Sequence, residues 1–176
     1  PDYAVTGVQT CALPICMRVV EVGTFGGSTA RGLVALTGGG EVCCVDNFVD
    51  VHERVLDGRW PDAPSFWRWT LAGPPDLSQF ARLIVGDSRE VGAAWAEPID
   101  LLLVDGDHSH EGALADLRNF ARHVAPGGYC LVDDYHMPDV RRACGDYLVD
   151  DDWDILRVPV WTEASPASLL AARRRS

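Results

Sequence analysis

The chain has 176 residues, 47% of them hydrophobic, and a formal net charge of −11. That length implies one domain with a sizeable core, and no apolar run reaches membrane-spanning length. An acidic balance of this size argues against nucleic acid as a partner, because phosphate binding needs a basic face, and the short run Arg173-Arg174-Arg175 is too small to reverse it.

Taken from the start, residues 1–16 stand apart. Val5 to Ile15 resembles the translation of a common sequencing-adapter oligonucleotide. Residues 1–16 are therefore set aside as non-native, with the domain expected over 17–176 and its native N-terminus missing. From there apolar strands alternate with amphipathic helices, the pattern of a parallel sheet covered on both faces. Strands are predicted at Arg18 to Val22, Glu41 to Val45, Arg82 to Val85, Asp100 to Val104 and Tyr129 to Val132. Helices are predicted at Ser28 to Leu36, Gly112 to His123 and Pro138 to Leu148. Ala125-Pro126-Gly127-Gly128 reads as a break, and Trp153 to Val158 with Ser168 to Ala172 as a closing antiparallel pair. Val51 to Leu77 mixes tryptophans with prolines outside a regular period. It is expected to be a long structured loop, either covering an apolar sheet face or forming a lid over a ligand.

Residue usage excludes some chemistry. All fifteen basic residues are arginine, so no Schiff-base or P-loop lysine is available. The six cysteines form no C-x-x-C pair, and buried reduced thiols in a cytoplasmic protein are the expected outcome.

The chemistry gathers at strand ends. Val19 to Ser28 is a strand ending in an acid, a glycine-rich turn and a helix start, with the spacing E-x-G-x-x-G-G-S in place of the dinucleotide G-x-G-x-x-G. Gly23, Thr24, Gly26, Gly27 and Ser28 are the candidate cofactor cradle. Further acids end the other strands: Asp46-Asn47, Asp87-Ser88, the Asp105/Asp107 pair and the Asp133/Asp134 pair. In parallel α/β sheets ligands bind outside the carboxyl ends of the strands, so all of these fall along one edge. Asp46 is placed to accept ribose hydroxyls, Asp87-Ser88 to meet an adenine amine, and Glu21 to reach an ammonium-bearing end of the ligand. Acids this close disfavour a pyrophosphate and favour a sulfonium. Asp105, Asp133 and Asp134 would repel each other unless neutralised by protons or a cation, and hard oxygen donors suit Mg²⁺; capping of turns and helices is the alternative use of such aspartates.

The glycine turn resembles motif I of the class I S-adenosylmethionine (SAM)-dependent methyltransferases. Ile99 to Gly112 and Ala125 to Tyr135 resemble the D-G-D-H-x-Y-E-G and P-G-G-x-x-x-x-D-D-Y patterns of methyltransferase family 24, relatives of the macrocin-type sugar O-methyltransferases. The likeness implies an α/β, Rossmann-like fold with a seven-stranded, mostly parallel sheet, helices on both faces and a C-terminal antiparallel pair. It implies SAM as cofactor, with Asp105 also beside it, and Mg²⁺ on Asp105, Asp133 and Asp134. Asp107 matches the position of the general base, and His108 is the second choice, imidazole titrating near neutrality. His110 departs from the family's usual tyrosine. The implied reaction is an in-line methyl transfer to a hydroxyl of a small molecule, a sugar or natural-product glycoside, in a bacterial cytoplasm, with neither nucleic acid nor membrane as partner and self-association left open. Alternatives are a metal-independent methyltransferase of the same fold, a nicotinamide oxidoreductase and a non-catalytic binding module.

Overall fold

Seven strands form one sheet in the order β3-β2-β1-β4-β5-β7-β6. The computed structural model describes residues 17–38, 40–49, 59–148, 152–156 and 169–176. The elements run β1 (Arg18–Val22), α1 (Ser28–Thr37), β2 (Glu41–Asp46), α2 (Ala63–Ala72), β3 (Ala81–Val85) and α3 (Ser88–Ala94). They continue with β4 (Ile99–Val104), α4 (His110–Phe120), β5 (Val124–Val132), α5 (Pro138–Tyr147), β6 (Trp153–Leu156) and β7 (Leu170–Arg174). The first five strands are parallel, and β7 pairs antiparallel with both β5 and β6. The expected fold is observed, closing pair included; Arg157, Val158 and Ser168 of the predicted pair lie outside the described residues, as do residues 1–16.

Strand alternation splits the core into two layers. Val20, Val22, Val45, Leu102, Val104 and Cys130 pack with Leu117, Phe120, Val140 and Cys144 on one face. Val19, Val42, Cys44 and Leu103 pack with Leu33, Val34, Trp67 and Leu71 on the other. Cys43, Cys44, Cys130 and Cys144 are buried free thiols, as expected. No helix among the described residues is long and apolar enough to cross a membrane.

Three local expectations are corrected. Residues 63–72 of the supposed loop are a helix: Asp62 caps it, accepting from the Ser65 N–H at 2.7 Å, and Pro64 sits in the first turn. Proline is harmless there, because that turn's N–H has no intrahelical partner, and Ala63, Trp67 and Leu71 supply a buried i, i+4, i+8 stripe. The Pro-Gly-Gly break lies inside β5, where register slips between Ile99 and Leu101 as a bulge while the strand continues. The predicted helix 112–123 starts earlier, at His110 behind a Ser109 cap, and tightens into a 3₁₀ turn over Ala121–His123. Helix α3 carries too short an apolar pattern to have been expected.

Helix α2 lies behind the glycine turn, and Arg31 of α1 holds it there. The guanidinium donates to the carbonyls of Thr70, Leu71, Gly73, Pro74 and Pro75 at 2.8–3.2 Å, satisfying acceptors that the end of a helix leaves open. Replacing Arg31 with alanine is expected to lower the unfolding free energy by about 1–3 kcal/mol. Urea unfolding of the two proteins, with m unchanged, is the measurement.

Candidate active site

Parallel strands end together, so their last residues and following turns share one edge. Gly23 stands where three of them part. Its N–H donates to the Val45 carbonyl at 2.9 Å, and the Asp105 N–H donates to Val22 at 2.8 Å. Gly23 has φ +84°, and a Cβ there would overlap the Asp105 carbonyl, so only glycine fits. Gly26 and Gly27 make room on the side of the turn away from the cleft. A Cβ on Gly26 would come within 2.5 Å of the Phe66 ring, and one on Gly27 within 2.8 Å of Trp67. Their missing side chains admit α2 from behind. Trp67 locks the packing by donating from Nε1 to Thr24 Oγ1 at 3.0 Å.

In front of the turn lies a cleft of about 750 Å³, within the usual range for small-molecule sites. Of the predicted residues, Gly23, Asp46, Asn47, Ser88, Asp105, Asp107 and His108 line it. Glu21, Thr24, Gly26 and Gly27 are buried beneath or behind the turn, and Ser28 is exposed at the start of α1. Asp87 caps α3, accepting from the Arg89 N–H at 2.8 Å.

Asp46 is the strut of the cleft's near wall. Its Oδ2 accepts from the Phe25 N–H at 2.8 Å and its Oδ1 from the Phe48 N–H at 2.7 Å. The carboxylate joins the end of β2 to the glycine turn, and each oxygen keeps a lone pair for a ligand. Phe25 (φ 45°) and Phe48 (φ 55°) are both left-handed, a conformation uncommon for bulky residues.

Asp107 is seated over the first turn of α4. Its Oδ1 accepts from the Ser109 N–H at 2.9 Å and its Oδ2 from Ser109 Oγ at 3.0 Å, while Ser109 Oγ accepts from the Gly112 N–H. The capping use of this aspartate is therefore realised, and it still faces the cleft. Sequence reasoning missed Asp116, on the buried face of α4 and lining the cleft. Its signal was an acid at a core position, four residues from both Gly112 and Phe120. Phe25, Phe48, Met137 and Asp139 also line the cleft unforeseen.

Beside the cleft, Asp105, His108 and Asp134 present ligand atoms all within 4.8 Å of one another. His108 Nε2 lies 3.1 Å from Asp134 Oδ2 and 3.7 Å from Asp105 Oδ1. That nitrogen is buried without an aligned hydrogen bond. His136 Nδ1 approaches Asp134 from the other side at 3.5 Å. The cluster joins two of the three expected aspartates to His108, and the Oδ1 of the third, Asp133, accepts from the Asp134 N–H at 2.9 Å. Burial and the neighbouring Asp133 push Asp105 up to about 6, opposed by His108. The orphaned imidazole nitrogen between two carboxylates is a donor set that a divalent cation fits, and the acid-lined cleft beside it fits a cationic sulfonium cofactor.

A family model described as a methyltransferase domain matches residues 20–135. This chain belongs to methyltransferase family 24. Solved structures share the fold of this methyltransferase domain at low identity. Cofactor-bound Rv0187 from MTB matches with a TM-score of 0.73 and 20% identity over 99% of this chain and 83% of that one. CalS11, the TDP-rhamnose 3′-O-methyltransferase of calicheamicin biosynthesis, matches at 0.69 and 19% over 92% and 74%. An rRNA methylase from Streptococcus thermophilus matches at 0.67 and 16% over 94% and 90%. At these identities the likeness is one of fold.

Glu21 gives the site of this methyltransferase domain a measurable signature. It is fully buried below the turn, with no well-formed hydrogen bond to either carboxylate oxygen among the described residues. Burial pushes it up from 4.5 to about 7, partly offset by Thr24 and Cys44 and reinforced by Asp105 and Asp46. A raised carboxyl pKa means the folded state prefers the neutral form. The stability it confers is complete below the unfolded pKa and is lost as pH rises through about 7. Glu21→Gln is expected to flatten that loss, gaining on the order of a few kcal/mol over wild type at pH 8 relative to pH 5. Urea unfolding of both proteins at the two pH values measures it.

Proposed function

We propose that this chain is a SAM-dependent O-methyltransferase that acts on a hydroxyl of a small molecule with help from a divalent cation. The carrying observation is the acid-lined cleft at the carboxyl edge of the sheet, with the Asp105, His108 and Asp134 cluster at its side. SAM supplies an electrophilic methyl group on a sulfonium. Gly23, Asp46, Asn47 and Ser88 bind and orient it: the Asp46 oxygens accept ribose hydroxyls through their remaining lone pairs, and Ser88 meets the adenine. Glu21, Thr24, Gly26, Gly27 and Ser28 hold the turn in shape, and Asp87 fixes the start of α3.

Asp105, His108 and Asp134 would hold the cation, Mg²⁺ being the first candidate, with Asp133 orienting the Asp134 backbone; the ion would supply Lewis acidity toward an acceptor oxygen. Asp107 takes the acceptor's proton. Positioning of the acceptor against the methyl donor accounts for much of the acceleration. The negative cleft and the charge of −11 favour an uncharged or cationic acceptor over a nucleic acid. A sugar hydroxyl is the leading class. Four buried thiols suit a reducing, cytoplasmic setting, and residues 17–176 form the proposed domain.

A metal-independent enzyme is the second reading. His108 and His136 flank Asp134 at 3.1 and 3.5 Å and would neutralise the acids when protonated. Methyl transfer assayed with and without a chelator, then with Mg²⁺ restored, separates the two.

Calorimetric titration with S-adenosylhomocysteine, against NAD as control, tests the cofactor. Binding of the first alone is expected; a folded protein that binds neither would sink the proposal. Asp107→Asn is expected to reduce turnover by about 10²-fold or more while leaving S-adenosylhomocysteine affinity within about threefold, a change smaller than one hydrogen bond.

A further inference from the structure

The mechanism leaves one buried acid of the cleft unused. Asp116 is only 2% exposed, yet it lines the cleft together with Ser88. Ser88 Oγ donates to Asp116 Oδ1 at 2.6 Å. A hydroxyl has one hydrogen and two lone pairs. With its hydrogen committed to a carboxylate, Ser88 can offer the cleft only acceptor lone pairs. Asp116 Oδ2 accepts no hydrogen bond among the described residues, and it lies 2.8 Å from where a Cβ of Gly106 would stand. Gly106 also lines the cleft, so its bare backbone leaves Oδ2 room.

We propose that Asp116 is a positioning residue that fixes Ser88 as a hydrogen-bond acceptor and makes this end of the cleft selective for a 6-aminopurine over a 6-oxopurine. The inference rests on the cofactor reading above, in which Ser88 meets the adenine. The exocyclic amine of adenine brings two donors to the accepting Ser88 Oγ and Asp116 Oδ2. A 6-oxo group brings an acceptor and sets lone pairs against lone pairs. A site built to accept from a donor rejects the analogue that lacks it, because its own buried groups are then left without a partner. Burial favours the neutral acid and raises Asp116 to about 6, so the carboxylate prevails above neutrality, where the contrast is largest.

The test compares S-adenosylhomocysteine with its deaminated analogue S-inosylhomocysteine by calorimetry at pH 8, on the full chain. Wild type is expected to prefer the adenine compound at least about tenfold. In Asp116→Asn, whichever way the amide turns, a donor enters the surface: it either faces the cleft or satisfies Ser88 and frees the serine hydrogen. The preference should then shrink to about threefold or less. Ser88→Ala should shrink it as well, by removing the acceptor. Circular dichroism and thermal unfolding confirm that each variant is folded, and the ratio of the two affinities is a readout that general destabilisation does not move. Equal binding of both compounds by wild type, or an undiminished preference in Asp116→Asn, overturns the inference while leaving the cofactor reading intact. A wild type that binds neither compound removes the cofactor reading itself.

Discussion

The close approach of Gly23 to the Asp105 backbone sets the geometry of the whole site. At this point β1 hands its hydrogen bonds to β2 on one side and β4 on the other. Any side chain on Gly23 would push the strands apart. Because the strands stay close up to that residue and diverge after it, the cleft opens at the carboxyl edge. The acids then inherit their positions from strand length: each begins where an apolar run stops.

That arrangement has an energetic cost. Glu21, Asp105 and Asp116 all sit where burial disfavours their charge, and the neighbouring carboxylates make ionisation harder still. Two bulky residues, Phe25 and Phe48, hold left-handed conformations around Asp46. Strain and buried acidity concentrated in one cleft mark it as a candidate functional site. The two apolar layers of the sheet offset this. Phe120, Leu71, Ile99 and Leu102 are wholly enclosed, and each contributes roughly 1.5–3 kcal/mol of burial.

Much of this was legible in the sequence, for a physical reason. A buried parallel strand reads as an apolar run bounded by polar residues, so the strand limits agree with the structure to within a residue or two, except that β5 begins five residues earlier. The edge on which the acids cluster followed from strand direction alone. What escaped depended on tertiary partners. Pro64 signals a loop or a helix start with equal force until Asp62 is seen to cap. That Phe66 and Trp67 fill the space beside Gly26 and Gly27 could not be read, because sequence does not show what packs against a glycine. His108 entered the carboxylate cluster through the path of the turn after β4, which no periodicity encodes. Asp116 was overlooked because its spacing from Gly112 and Phe120 marks it as buried only once the core-facing side of that helix is known.

The late strand β7 lies between β5 and β6 in space, and β6 pairs with no other strand among the described residues. Loss of β7 would therefore remove two strands together. The β5 edge, carrying Cys130, Leu131 and Val132, would then be left bare beside apolar neighbours, an open template for another chain. Removal of the chain from Leu170 onward would thus convert a covered strand into an aggregation seed, on the same β5 that Asp133 and Asp134 follow.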